Sequence, residues 1–349
     1  MNTEYVVIDD EHIDREAVGR AGKIIKEGGL VAFPTETVYG LGGDALNPLA
    51  SAKIYAAKGR PSDNPLIVHI ADISALKKIT AEIPEAAYTL AEKYWPGPLT
   101  MIFNKSDAVP YETTGGLDTV AVRMPSNKTA LAFIEASGGY IAAPSANISG
   151  RPSPTKGSHV LEDMNGRIEM ILDGGECNIG LESTIVDLTD DVPMILRPGY
   201  ISIEMVRETL GRAEYDPAII SDVDSNRAPK APGMKYKHYA PKGELTIVSG
   251  EEEKVVSYIR NRIANAGTDV RIGVLASTET IDRYDADKVI NIGSLSDEEE
   301  VARHLYGALR DFDEAKVDII YSEEFDIGQI GQAIMNRLIK AAGHKIVEV

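Results

Sequence analysis

Residues 216–242 interrupt this chain of 349 residues: Pro217, Pro229, Pro232 and Pro241 stand among polar residues with no sustained hydrophobic period, as in a linker. The whole chain is longer than the size at which single hydrophobic cores usually stop growing. Two domains are therefore expected, at residues 1–210 and 243–349, joined by residues 211–242.

Before the interruption, Asp14 opens an amphipathic helix that Gly28 closes, followed by a short apolar strand at Leu30–Phe33. Asn47 and Pro48 are a cap residue and a first-turn proline, predicting a helix to about Lys58. Further strands are expected at residues 65–70, 99–104, 119–124, 140–143, 170–173, 184–188 and 194–197. Loops rather than whole helices separate many of them, which predicts a mixed sheet with helices on its faces. After the interruption, strands at residues 244–248, 271–275, 288–292 and 317–321 are each followed by a helical segment. That alternation predicts a small parallel, doubly wound domain.

The formal net charge of -18 argues against broad binding to a phosphate backbone, which needs a basic surface. The start of the chain lacks a basic, apolar leader and no stretch approaches membrane-spanning length, so the chain reads as cytoplasmic, without a membrane partner. The single cysteine, Cys177, has no partner for an internal disulfide and no zinc-type ligand spacing around it, and reads as a packing residue. No Walker pattern, G-x-S-x-G elbow or H-E-x-x-H pair is present. Gly40, Gly42 and Ala45 fit G-x-G-x-x-[GA], but they follow a polar turn instead of a strand, which weakens a dinucleotide reading.

Chemistry concentrates in polar segments beside the expected strands. In FPTETVYGLG, Thr35 and Thr37 follow a buried-looking strand; their hydroxyls suit either a small polar substrate or their own backbone in a capped turn. In KGRPSDNPLIVHI, Lys58, Arg60 and Asn64 on a proline-stiffened bend suit phosphate oxygens, or else cations closing a helix end. APSANISGRPSPT offers Ser145, Asn147 and Ser153 with Arg151, hydroxyls and amides fit to meet an anion. Arg123 and Arg197 sit at strand ends, and with Arg60 they imply convergent anion binding in an otherwise acidic chain. The site reads as one that holds charged substrates rather than one that attacks them covalently.

Taken in order, FPTETVYGLG, KGRPSDNPLIVHI, WPGPLT, VAVRMPSN, APSANISGRPSPT, ESTIVDL and ILRPG resemble the YrdC-like threonylcarbamoyl-AMP synthases over about residues 13–210. APGMKYKHYAP and the domain beyond it resemble the longer, two-domain form of that family. The resemblance implies an α/β fold: a twisted mixed sheet with helices enclosing a cavity, plus a smaller C-terminal doubly wound parallel-sheet domain. It implies a nucleotidyltransferase that condenses L-threonine, bicarbonate and ATP, with Mg2+, for N6-threonylcarbamoyladenosine in transfer RNA. The product would be handed to a transfer RNA threonylcarbamoyl transferase complex, without tight nucleic-acid binding by this chain.

Residue by residue, the resemblance implies that Lys58 and Arg60 are catalytic. Thr37, His69, Arg123, Ala143 and Ser183 would surround L-threonine. Arg60, Asn64, Thr119, Ser145, Asn147, Ser153, Arg197 and Tyr236 would contact ATP, Tyr236 from a linker folded back as a lid. No protein-bound metal site is expected. The competing readings are an RNA-binding module and a carbamoyl-phosphate-dependent carbamoyltransferase, the latter expected to need zinc-finger cysteines that one cysteine cannot supply.

Overall fold

The computed structural model describes residues 2–220 and 239–349. Of these, residues 2–149, 153–178 and 182–220 form one compact unit, and residues 150–152, 179–181 and 239–349 form a second. None of the described helices is long and apolar enough to cross a membrane.

In the first unit the strands are β1 (Glu4–Val7), β2 (Val31–Phe33), β3 (Gly40–Asp44), β4 (Ile67–His69), β5 (Leu99–Asn104), β6 (Thr119–Arg123), β7 (Ile141–Ala143), β8 (Met170–Asp173), β9 (Thr184–Asp187), β10 (Met194–Arg197) and β11 (Glu214–Tyr215). They form one sheet in the order β1-β8-β2-β3-β7-β4-β6-β5-β9-β10-β11. Parallel pairs such as β4–β6 and β5–β9 adjoin antiparallel ones such as β5–β6 and β4–β7, so the sheet is mixed, as expected.

Strand alternation divides the core between the two faces. Val31 and Phe33 join Ile141 and Ala143 beneath the helices Arg15–Lys26 and Lys128–Ala136, whereas Ala32, Val68, Val122 and Ala142 join the larger cluster on the other face. The expected caps form: Asp14 accepts from the amides of Glu16 and Ala17, and Asn47 accepts from Leu49 at the start of Pro48–Lys58.

Two features depart from expectation. Gly40 and Gly42 lie inside β3, paired with β2, so they belong to no nucleotide-binding turn. A Cβ at Gly40 would stand 2.9 Å from the ring of Phe33, and this close approach, not phosphate binding, explains the glycine. The stretch expected to be linker begins with β11 and the helical turn Pro217–Ile220; two residues of β11 pairing with β10 leave no readable period.

In the second unit, β12 (Glu244–Ser249), β13 (Ile272–Ala276), β14 (Lys288–Asn291), β15 (Ile319–Glu323) and β16 (Ile346–Glu348) form an all-parallel sheet in the order β14-β13-β15-β12-β16. Val248, Val274 and Tyr321 pack with Val256 and Ile259 of the helix Glu252–Ala264. Ile247, Leu275 and Ile320 are buried as well, as a two-sided parallel sheet requires. The strand expected at residues 317–321 is displaced to Ile319–Glu323. Helix Glu298–Glu314 is followed by a tight turn with Lys316 at φ 53°, and buried Val317 anchors that turn through its amide to the Phe312 carbonyl.

Candidate active site

Register across five neighbouring strands sets a row of polar side chains on one face of the first sheet. His69 of β4 pairs with Arg123 of β6, Arg123 pairs with Thr100 of β5, and Thr184 of β9 pairs with Leu99, which brings Ser183 beside Thr100. Thr100 Oγ1 and Ser183 Oγ are 2.7 Å apart. Arg197, at the end of β10, donates from Nε to the Ser183 carbonyl at 3.0 Å and from Nη2 to Ser183 Oγ at 3.1 Å. Two residues back along β4 and β6, and two onward along β5 and β9, lie Ile67, Ala121, Ile102 and Ile185, which with Leu196 form a small apolar cluster drawn from strands alone.

Members of the row are buried yet hydrogen-bonded, as polar groups removed from water must be. His69 Nδ1 is 3.1 Å from the Ile67 carbonyl, and its ring meets Phe33 edge-on at 5.8 Å. Burial, and then the Arg123 charge, push the His69 pKa down from 6.5 to about 3, so the imidazole is neutral at neutral pH.

The turn after β2 supplies the second wall. Thr35 closes it as a capped turn, donating its hydroxyl to the Val38 carbonyl at 2.6 Å and accepting from the Thr37 and Val38 amides. Thr37 turns its hydroxyl to the row and accepts from Arg123 Nη1 at 2.8 Å. The capped-turn reading thus fits Thr35, whereas Thr37 bonds Arg123 rather than its own backbone. Glu36 Oε1 lies 2.7 Å from Arg123 Nη2, both side chains being buried.

Backbone hydrogen bonds join this turn to the 144–155 loop: Tyr39 donates to the Pro154 carbonyl, and Ala146 donates to Tyr39. Ala143 ends β7 directly before this loop, opposite Ile67 of β4. Within the loop, Ser145 Oγ donates to Asn147 Oδ1 at 2.6 Å, and Ser153 Oγ donates to Glu182 Oε1 at 2.6 Å.

The cationic segment differs in detail from expectation. Lys58 is buried, and its ammonium donates to the carbonyls of Ser145 and Asn147, each at 2.5 Å, and to Asn147 Oδ1 at 3.2 Å. It therefore holds the serine loop. Arg60, only partly buried, donates to the carbonyls of Asn64 and Pro65 at 3.2–3.3 Å and braces the 60–65 bend. Asn64 is buried, and its Oδ1 accepts no hydrogen bond among the described residues. Thr119 opens β6 at the end of that strand remote from Arg123. Tyr236 lies outside the described residues.

Three members of the site were not singled out from sequence. Thr100 sits in the quoted WPGPLT, Glu36 in FPTETVYG and Glu182 in ESTIVDL; only cross-strand register and loop contacts show that they belong with the rest. Cys177 is buried, and burial followed by the charge of Glu36 raises its thiol well above the usual range, in keeping with a packing role.

Comparison with known proteins matches two family models that meet near residue 200. Residues 23–199 match the Sua5/YciO/YrdC family, described as "Telomere recombination", and residues 201–343 match the "Threonylcarbamoyl-AMP synthase, C-terminal domain". The chain is 49% identical over 341 residues to the threonylcarbamoyl-AMP synthase of Pyrococcus abyssi, covering 97% of this chain and 98% of that one. It is 49% identical over 342 residues to the enzyme of the same name from Bacillus subtilis, covering 98% and 97%. The solved structure of P. abyssi Sua5 complexed with L-threonine is similar to it with a TM-score of 0.93 at 48% identity, covering 99% of this chain and 100% of that one.

Proposed function

Because the chain belongs to the Sua5/YciO/YrdC family of threonylcarbamoyl-AMP synthases, we propose that it condenses L-threonine, bicarbonate and ATP into threonylcarbamoyl-AMP and pyrophosphate. The reaction is assigned to residues 1–210. It is a nucleotidyl transfer. The threonine amine adds to CO2 derived from bicarbonate, giving a carbamate; a carbamate oxygen attacks the α-phosphorus of ATP, and pyrophosphate leaves with the electrons of the broken P–O bond. Magnesium enters as part of the nucleotide substrate and offsets the triphosphate charge.

The observation that carries this reading is the polar row, in which two buried arginines, Arg123 and Arg197, flank Thr100 and Ser183 on one sheet face. Arg123 takes the threonine carboxylate, with Thr37, Ser183 and the backbone near Ala143 around the rest of the amino acid. Neutral His69 orients rather than transfers a proton at neutral pH. Arg197, Asn64, Thr119, Ser145, Asn147 and Ser153 serve the nucleotide.

Arg60 meets charge developing on the phosphates, while Lys58 acts through the loop it holds. That revises the expectation of direct catalysis by Lys58, because its ammonium already donates to three loop oxygens. The product is a labile mixed anhydride suited to hand-off to a transfer RNA-modifying enzyme.

Pyrophosphate release by the purified protein, with magnesium and bicarbonate, tests the proposal. L-Threonine should be required and L-serine should substitute poorly; release without any amino acid would refute it.

A further inference from the structure

Glu36 and Arg123 form an ion pair that is incomplete as hydrogen bonding. The Glu36 side chain is 7% exposed and that of Arg123 5%, and Oε1 approaches Nη2 to 2.7 Å. Yet among the described residues neither Glu36 oxygen accepts a hydrogen bond and Nη2 donates none, so the pair meets off-line. The other polar groups of the turn have partners. Thr35 serves the turn backbone, Thr37 takes Nη1 of Arg123, and Arg123 Nε reaches the Gly97 carbonyl at 3.4 Å.

Buried carboxylate and guanidinium groups ordinarily fill their lone pairs and N–H directions. A buried carboxylate whose oxygens take no aligned donor, beside a guanidinium nitrogen that donates to no acceptor, is complementary to a ligand that brings a cation and an anion a few ångströms apart. An α-amino acid zwitterion has that form, its ammonium two bonds from its carboxylate carbon.

We propose that Glu36 is a substrate-binding residue that accepts the ammonium of the amino acid while Arg123 Nη2 takes its carboxylate. This rests on the reading of the site as one for L-threonine. It adds a residue outside the set expected from sequence and makes the intact zwitterion, rather than the carboxylate alone, the feature recognised. A Glu36–Arg123 pair that already balances its own charge also receives a net-neutral ligand without stranding a buried charge.

The test is equilibrium binding by calorimetry of L-threonine and of 2,3-dihydroxybutanoate, which carries a hydroxyl in place of the ammonium. The wild-type chain should prefer threonine. Glu36→Gln, which keeps the shape, should weaken threonine by roughly 10- to 100-fold, the value of a charge-assisted hydrogen bond. It should not weaken the hydroxy analogue, whose single negative charge then meets an Arg123 no longer balanced by Glu36, and should leave a non-hydrolysable ATP analogue within about threefold of wild type.

Unchanged threonine affinity in Glu36→Gln, or equal losses for threonine and the hydroxy analogue, overturns the proposal. Should the variant fail to fold by thermal unfolding, equal wild-type affinity for the two ligands overturns it and a clear preference for threonine sustains it. A wild-type chain that binds no threonine at all refutes the assigned reaction itself, a result distinct from the others.

Discussion

Lys58 and Asn147 lie 89 positions apart, and the lysine ammonium donates to both the carbonyl and the side-chain oxygen of that asparagine, at 2.5 and 3.2 Å. One buried cation at the end of the helix Pro48–Lys58 thereby fixes the loop that carries Ser145 and Asn147. A basic residue in the last turn also complements the helix dipole, in keeping with the reading of Lys58 as a cation at a helix end.

Lys58→Met should leave those buried carbonyls without their donor and lower stability by about 1–3 kcal/mol. If the loop serves the nucleotide as proposed, the KM for ATP should rise at least ~10-fold while threonine affinity changes little. Urea unfolding and steady-state pyrophosphate release measure the two effects separately.

Arg123→Met should be harsher, because it strands Glu36 as a buried, unpaired carboxylate. Breaking one side of such a pair typically lowers stability by about 3–5 kcal/mol. Arg123→Lys keeps the charge but loses the fork that reaches Thr37 and Glu36 together. It should raise the threonine KM by roughly 10- to 1000-fold with the ATP KM near wild type, as measured by initial rates at saturating partner substrate.

His69 leads to a prediction about pH. Its pKa is about 3 in the folded chain against 6.5 for an ordinary histidine. Between those values the unfolded chain binds a proton that the folded chain refuses. Its contribution is therefore intact above pH 6.5 and declines as pH falls toward 3. Compared with His69→Gln, the wild type should lose an extra ~1–2 kcal/mol on going from pH 7 to pH 5, read by urea unfolding at the two pH values. The pH–rate profile between 6 and 8 should be the same in both proteins, since His69 does not titrate there.

Gly199, two residues after Arg197, has no room for a side chain. A Cβ would stand 2.4 Å from the Thr184 amide nitrogen and 2.8 Å from the Glu182 carbonyl, both backbone atoms. Gly199→Ala should therefore push apart the strand ends that bring Arg197 to Ser183, lowering stability by roughly 2–4 kcal/mol. Turnover should fall with it. A thermal shift and a rate assay on the soluble fraction test both.

Much of the architecture could be read from local pattern. The strands at Leu99–Asn104, Met170–Asp173 and Met194–Arg197, the caps Asp14 and Asn47, and the parallel order of the second unit follow from alternation, capping chemistry and strand–helix spacing. The glycine run at Gly40–Gly43 was not readable in this way. Glycine carries no hydrophobic period, and only the approach of Phe33 and Ile141 shows that a strand needs it there.

Sequence by itself placed hydroxyls, amides and three arginines beside short apolar strands, because those are local facts, but it did not mark Thr100, Glu36 or Glu182. It could not decide which groups meet. Thr35 and Thr37 are chemically alike, and Lys58 and Arg60 are both cations two positions apart. Strand register and the fold of the 144–155 loop alone send Thr37 to Arg123, Thr35 to its own backbone, and Lys58 into a loop rather than to solvent. Glu36 beside Arg123 is likewise a product of tertiary structure. The two are 87 positions apart, and a shift of one residue in the β4–β6 pairing would turn Arg123 to the opposite face of the sheet, away from both Glu36 and Thr37.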